Sequence, residues 1–357
     1  MTTTAWTHAH LAEIAGRALP ELPVFGPEDC PAIRNDLWMW DFWPAECPLG
    51  RRAVVDGGEL WFALSAPVLG DPDARHDVAR IRKLHRKGND WCDLGPAFPD
   101  GFTPGSREWS GSAIVEGGQV TVYFTATGRR DEAVPTYEQR IFSSSAAIDV
   151  ASGAIGDWAS LSECVASDGS IYAHARETTG RIGAIKAFRD PAWFRDPHDG
   201  CEYLLFTGSI ASATSSYDGC IGIARHDGDA WVLLPPLVTA DGVNKELERP
   251  HIRVRDGRYW LFWSTQAQVF SGDAPAAPTG IYAMEAERIL GPFAPYAGSG
   301  LVACNPISAP AQSYSWWVCS DGEASSFADR LAVSTERGFV GTPAPLFPLS
   351  HFVPHFA

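Results

Sequence analysis

One strand type recurs five times in this chain, and that recurrence limits the available folds more than any other feature. Residues 59–64, 119–124, 202–206, 258–263 and 314–318 are short, dense in Trp, Tyr, Phe and Leu, and apolar on both faces. A strand with two apolar faces belongs inside a sheet rather than at its edge. Recurrence at intervals of roughly 55 to 80 residues points to a repeated multi-strand sheet. The chain therefore reads as all-β, a single five-bladed β-propeller spanning residues 1–357. Helical periodicity is confined to one short stretch, residues 8–17, where Leu11, Ile14 and Ala15 share a face. Residues 1–30 are expected to form that short N-terminal helix and an extended segment packed on the propeller.

Ahead of four of those strands lie segments rich in acids, tryptophan and arginine. They are Trp40-Asp41-Phe42-Trp43-Pro44, Glu108-Trp109-Ser110-Gly111-Ser112, Phe188-Arg189-Asp190-Pro191 and Glu246-Leu247-Glu248-Arg249-Pro250. In a propeller blade the innermost strand hairpins back into the second. Polar residues on successive innermost strands would thus meet in one central funnel although they are far apart in sequence.

Asp41 stands between Trp40 and Trp43. A carboxylate walled by indoles is held in one rotamer and partly dehydrated, which suits a nucleophile, although a turn Asp beside core tryptophans reads the same way. Arg189-Asp190-Pro191 has a second copy, Arg195-Asp196-Pro197, which runs into His198-Asp199-Gly200 and reads as a hairpin turn. Glu246 and Glu248 are two apart, so on a strand they face the same side, where repulsion and desolvation would keep one protonated, as a general acid requires, although a solvent-facing acidic edge flanked by Lys245 and Arg249 reads the same way. Trp109, Ser110 and Tyr314 offer the stacking and hydroxyl groups that sugars use. His251 reads as a satisfied hydrogen-bonding residue, and Asp36 as a turn residue.

Net charge of −15 and a sequence pI near 5.0 argue against a nucleic-acid surface. No apolar run approaches the roughly 18 residues of a membrane span. The N-terminus lacks a basic start and apolar stretch, so the location is either cytoplasmic or reached without a standard signal. Eight scattered cysteines with no C-x-x-C pair suggest ordinary thiols, with Cys304–Cys319 the one bridge to check. Phosphate-loop, dinucleotide, zinc-protease and serine-hydrolase motifs are absent from the sequence. Neither metal nor cofactor is expected.

Taken in order, the four segments above together with Thr136-Tyr137-Glu138-Gln139-Arg140, Asp241-Gly242-Val243-Asn244, Glu248-Arg249-Pro250-His251 and Gln312-Ser313-Tyr314-Ser315 resemble glycoside hydrolase family 68, the levansucrases, inulosucrases and bacterial β-fructofuranosidases. The resemblance runs from about residue 38 to 345 and is closer to the Gram-negative branch. It implies a central funnel that takes sucrose and sugar acceptors, with no cofactor. It also implies Asp41 as nucleophile, Asp190 as transition-state stabiliser and Glu248 as acid/base. Trp40, Trp109, Ser110, Arg189, Glu246, Arg249 and Tyr314 match positions lining the sugar subsites. A retaining mechanism would set the Asp41 and Glu248 carboxyls roughly 5–5.5 Å apart.

Three departures stand out. Lys245 replaces an acid that helps hold calcium in other members, so no calcium is expected there. Thr207 replaces a usual Glu near the glucose subsite, and Gln266 an Arg or His linked to polymer elongation. The rivals are a hydrolytic β-fructofuranosidase, a non-catalytic sugar-binding propeller and an inverting propeller hydrolase. A monomer or weak homodimer is expected.

Overall fold

The computed structural model describes residues 2–177, 183–331 and 338–356. Its strands form five sheets around a central axis, with two of them joined edge to edge. The innermost strands are Leu37–Glu46, Arg107–Glu116, Phe188–Arg195, Glu248–Arg255 and Ser313–Val318, one for each of blades 1 to 5. Those of blades 1 and 2 pair in parallel at Ala45↔Ala113, which shows them running the same way along the axis.

Four of the five recurring apolar segments are second strands: Gly58–Pro67, Gln119–Thr127, Glu202–Ser209 and Arg258–Thr265. They sit between two neighbours and bury almost every side chain, as their two apolar faces demand. The fifth differs from expectation. Residues 314–318 belong to the innermost strand of blade 5, whose second strand is the small, hydroxyl-rich Glu323–Ala328. Blade 5 is the thinnest, so its inner strand is covered by large rings instead, with Trp316 and Trp317 fully buried.

Every innermost strand loses register with its second strand at the same height. The shifts fall between Trp40 and Trp43, Trp109 and Gly111, Arg189 and Ala192, Glu248 and His251, and Tyr314 and Trp317. In four blades the bulge holds a non-glycine residue at positive φ: Asp41 at 52°, Asp190 at 59°, Arg249 at 51° and Ser315 at 62°. Such residues are uncommon and cost on the order of 1–3 kcal/mol each, so the surrounding packing must hold them. Pro191 and Pro250 favour the break because they have no N–H for the ladder. Blade 2 solves the problem with Gly111, where a Cβ would come within 1.8 Å of the Tyr123 carbonyl oxygen.

The N-terminal helix is shorter than its periodicity suggests, His8–Ala12, with Leu11 and Ile14 buried and Ala15 exposed. Thr4–Ala5 adds a parallel strand to the outer edge of blade 3, pairing Thr4 with Val238. Farther on, the Leu22 N–H donates to the Cys304 carbonyl of blade 4 at 2.8 Å. The basic strand Arg80–Lys87 is the third of blade 1, where Arg82 pairs with Asp93 and Arg86 with Glu59. Cys304 and Cys319 are both buried and free, so the bridge considered from the sequence does not form. Cys304 ends a strand of blade 4, and Cys319 opens the turn after the inner strand of blade 5.

Candidate active site

The five bulges place five consecutive residue pairs at one end of the axis: Trp40-Asp41, Trp109-Ser110, Arg189-Asp190, Glu248-Arg249 and Tyr314-Ser315. A bulge lets two successive side chains address the axis where a regular strand would send one away. A pocket of about 40 Å³ is lined by Trp40, Asp41, Trp109, Ser110, Arg189, Asp190, Glu248, Arg249 and Ser315, with Leu64 and His76 completing the wall. Larger cavities lie elsewhere, two of them the most spacious. One, of about 280 Å³, opens at the opposite end of the axis beside Glu46 and Arg253, and the other is an outer groove of about 910 Å³. Neither contains the acids singled out above.

Asp190 is held on both oxygens. Its Oδ1 accepts from Ser110 Oγ at 2.8 Å, and its Oδ2 from Thr207 Oγ1 at 3.0 Å. Burial pushes its carboxyl up to about 6; Arg189 opposes this, whereas the charges of Glu248 and Asp41 add to it. Burial likewise raises Asp41, against the pull of Arg249 and of the Ser315 hydroxyl. Arg249 donates through Nη1 to Ser315 Oγ at 2.9 Å and to the Phe42 carbonyl at 3.2 Å. Its guanidinium lies over Trp43 and Trp317, at 5.6 and 5.2 Å from the ring centres.

Arg189 ties two acids together. One nitrogen, Nη2, donates to Glu246 Oε1 at 2.7 Å and to Glu248 Oε1 at 2.8 Å, and the Tyr314 hydroxyl donates to Glu248 Oε2. Glu246 is raised to about 7, by burial first, with Arg189 opposing and Glu248 reinforcing. The two glutamates do not share a strand face as the spacing suggested, because Glu246 precedes the strand that Glu248 opens. They converge because both reach the same guanidinium. Four acids and two arginines in one water-poor space favour retention of a proton among the acids, which is the requirement of acid catalysis.

Two residues expected at the sugar subsites lie elsewhere. Thr207 is fully buried behind Asp190, so it is absent from the pocket wall; as the cross-strand partner of Arg189 it is screened by the innermost strand. Gln266 lies just beyond the second strand of blade 4, half-buried, and its side-chain oxygen accepts from Gln268. The other expected residues converge at this end of the axis, Glu246 and Tyr314 through their bonds to Arg189 and Glu248.

Three participants were missed by sequence reasoning. His76 comes from the turn segment Pro72–Asp77; burial, then the charges of Arg75, Arg189 and Arg107, keep it neutral. Its carbonyl accepts from Trp109 Nε1 at 3.1 Å and its ring packs edge-on against Trp40. No motif marks it. Ser315 and Leu64 do carry a signal, since aligning the five inner strands puts Ser315 level with Asp41 and Leu64 opposite Trp40. Lys245 donates to Asp218 at 2.7 Å, and Lys186 meets the same carboxylate. Two ammonium groups thus share one buried carboxylate. His251 is satisfied on both ring nitrogens, by the Arg249 carbonyl and the Val318 N–H.

A propeller whose axis gathers carboxylates, guanidiniums and indoles into one pocket has the groups that an enzyme of the glycoside hydrolase class uses. Residues 1–218 and 211–352 match glycoside hydrolase family 68, described as levansucrase/invertase. The chain belongs to that family. It is 30% identical to the levansucrase of Rahnella aquatilis, covering 96% of this chain and 91% of that one. The levansucrase of Zymomonas mobilis is 33% identical, over 90% of this chain and 82% of its own. Among solved structures, the inulosucrase from Halalkalicoccus jeotgali bound to kestose superimposes with a TM-score of 0.85 at 33% identity, covering 97% of this chain and 92% of that one.

Proposed function

We propose that this chain cleaves sucrose with retention of configuration, releases glucose and passes the fructosyl unit to sugar acceptors or water. The observation that carries this reading is the meeting of Asp41, Asp190 and Glu248 on three blades in one pocket. Asp41 attacks the anomeric carbon of the fructosyl ring while Glu248 gives its proton to the glycosidic oxygen, so the C–O bond breaks and glucose leaves. A covalent fructosyl-enzyme remains. Ionised Glu248 then takes a proton from the acceptor hydroxyl or water, which attacks the same carbon and frees Asp41. Asp190 holds the fructosyl hydroxyls as positive charge develops.

The contacts of Glu248 bear on the first step. Arg189 can only donate, whereas the Tyr314 hydroxyl can donate or accept. The catalytic proton therefore belongs on Oε2, where Tyr314 can reverse its bond. Acceptor choice is an energetic contest: water at about 55 M outnumbers a sugar by roughly a hundredfold, so sugar must be favoured by about 2.7 kcal/mol to draw level. Gln266, which stands where the family resemblance implies an Arg or His, is bonded to Gln268 and lies outside the pocket wall, so it offers no charged contact to a growing chain, which favours hydrolysis or short products over long polymer. In this reading one domain acts alone or as a weak dimer, with no role for nucleic acid or membrane.

Incubation with concentrated sucrose tests the proposal. Free glucose in excess of free fructose means transfer, equal amounts mean hydrolysis, and no glucose overturns the sucrase reading. Glu248→Gln should abolish turnover yet keep sugar binding; unchanged turnover would remove Glu248 from the mechanism.

A further inference from the structure

Three second strands carry a hydroxyl at the same height, directly opposite an inner-strand site residue: Thr125 opposite Trp109, Thr207 opposite Arg189 and Ser264 opposite Glu248. Each accepts a backbone N–H from the bulge of the next blade. Thr125 Oγ1 accepts from Asp190 N–H at 3.0 Å, Thr207 Oγ1 from Arg249 N–H at 3.1 Å, and Ser264 Oγ from Trp316 N–H at 2.9 Å. The corresponding residues of blades 1 and 5 are Leu64 and Phe327, which carry no hydroxyl. A ladder cannot pair a bulge, so these hydroxyls supply the partners that the strained backbone would otherwise lack.

Thr207 does more than the other two. Thr125 gives its own proton to the Ser110 carbonyl at 3.4 Å, whereas Thr207 gives its proton to the Asp190 carboxylate at 3.0 Å. One hydroxyl thus joins the acid of blade 3 to the bulge that follows Glu248 in blade 4. Both bonds are buried.

We propose that Thr207 is a positioning residue of the site: it orients the Asp190 carboxylate and fixes its place relative to the Glu248-Arg249 bulge, without touching substrate. The role in turnover rests on the sucrose reading above, but the geometry does not. Losing the bond removes a donor from an anion and tilts the carboxylate away from the fructosyl hydroxyls. Asp190 also faces Arg189 on its own strand, Asp41 of blade 1, and Glu248 and Arg249 of blade 4. Those charges stay in place when only the hydroxyl is removed, so any change in titration reports Thr207.

The experiment compares wild type, Thr207→Val and Thr207→Ser by carbon-13 NMR titration of the Asp190 carboxyl, assigned by its disappearance in Asp190→Asn, and by kcat on sucrose. In Thr207→Val the Asp190 midpoint should rise and kcat should fall roughly tenfold to a hundredfold, the worth of one charge-assisted hydrogen bond. Thr207→Ser should restore the midpoint and most of the rate. Thr207→Ala carries the same expectation as Val if the Val variant does not fold. An unmoved midpoint in a folded variant lacking the hydroxyl overturns the proposal, as does a Ser variant as impaired as Val. If wild type releases no glucose, the sucrase reading fails while the titration still decides the role of Thr207.

Discussion

The tripeptide Arg-Asp-Pro occurs twice within nine residues, and its copies have opposite fates. In the first, Asp190 sits in the bulge of an innermost strand at positive φ, among other acids. In the second, Arg195 ends the same strand and Asp196 enters a turn, closed by Gly200 N–H donating to the Asp196 carbonyl. Both aspartates are buried, so burial does not separate them. Their neighbours do. Asp196 receives the Tyr259 hydroxyl at 2.6 Å and the His198 N–H at 2.9 Å, and serves as a structural acceptor. The arginines differ in the same way. Arg189 shares one nitrogen between two buried glutamates, while Arg195 pairs with the more exposed Glu116 and Glu202. Identical side chains take their chemistry from their distance to the axis.

Paired substitutions put this contrast at risk. The largest effect is expected from Asp190→Asn, which should lower kcat on sucrose by at least about a hundredfold to a thousandfold. Asp196→Asn should leave kcat within about twofold and reduce stability by about 1 kcal/mol, read as a lower melting temperature. Comparable rate losses in both would erase the distinction. Next comes Glu246→Gln, which loosens Arg189 and should cost roughly tenfold to a hundredfold in kcat. Glu116→Gln, on the outer arginine, should leave activity untouched and stability within about 0.5 kcal/mol.

The pH responses sharpen the comparison further. Asp190 is raised to about 6, so the ionised form that holds substrate is lost as pH falls through 6, and activity should fall with it. For stability the sign is reversed. A carboxyl whose folded pKa lies above its unfolded one binds more protons when folded, so its burden is absent below about 4 and complete above about 6. Asp190→Asn should therefore melt higher relative to wild type at pH 8 than at pH 5. Thermal unfolding at the two pH values measures the difference.

Much of this arrangement could be read from the residues. Trp61, Phe62, Leu204, Leu205, Trp260 and Leu261 mark central strands because a strand flanked on both sides buries both of its faces. Asp41, Asp190 and Glu248 stood out as acids beside tryptophan or arginine, costly to bury unless paired, but a structural role fitted them as well, and the resemblance to glycoside hydrolase family 68 is what assigned them roles. His76 was not visible, since a turn residue carries no periodicity and reaches the axis only through the path of Pro72–Asp77. Thr207 was seen but misplaced. The sequence places it beside the site, and only strand pairing reveals that it stands behind Arg189. Blade 5 was misaligned for a related reason, because Trp316 and Trp317 made an inner strand look like a second one.

The N-terminal strap has a consequence for how the molecule is made. Thr4 pairs with Val238, Trp6 packs against Trp263 and Tyr282, and Leu22 bonds to Cys304. These residues therefore have their partners some 230 to 290 positions later, and at about 5–20 residues per second they wait on the order of 10–60 s for them. Blade 1 also needs blade 5 to cover its free side, as Arg253 of blade 4 needs Glu46 of blade 1. Ring closure and strap docking are late, long-range events, the slow kind in topological terms. During translation the strap must stay unpaired and soluble, and it is among the last segments to find its place.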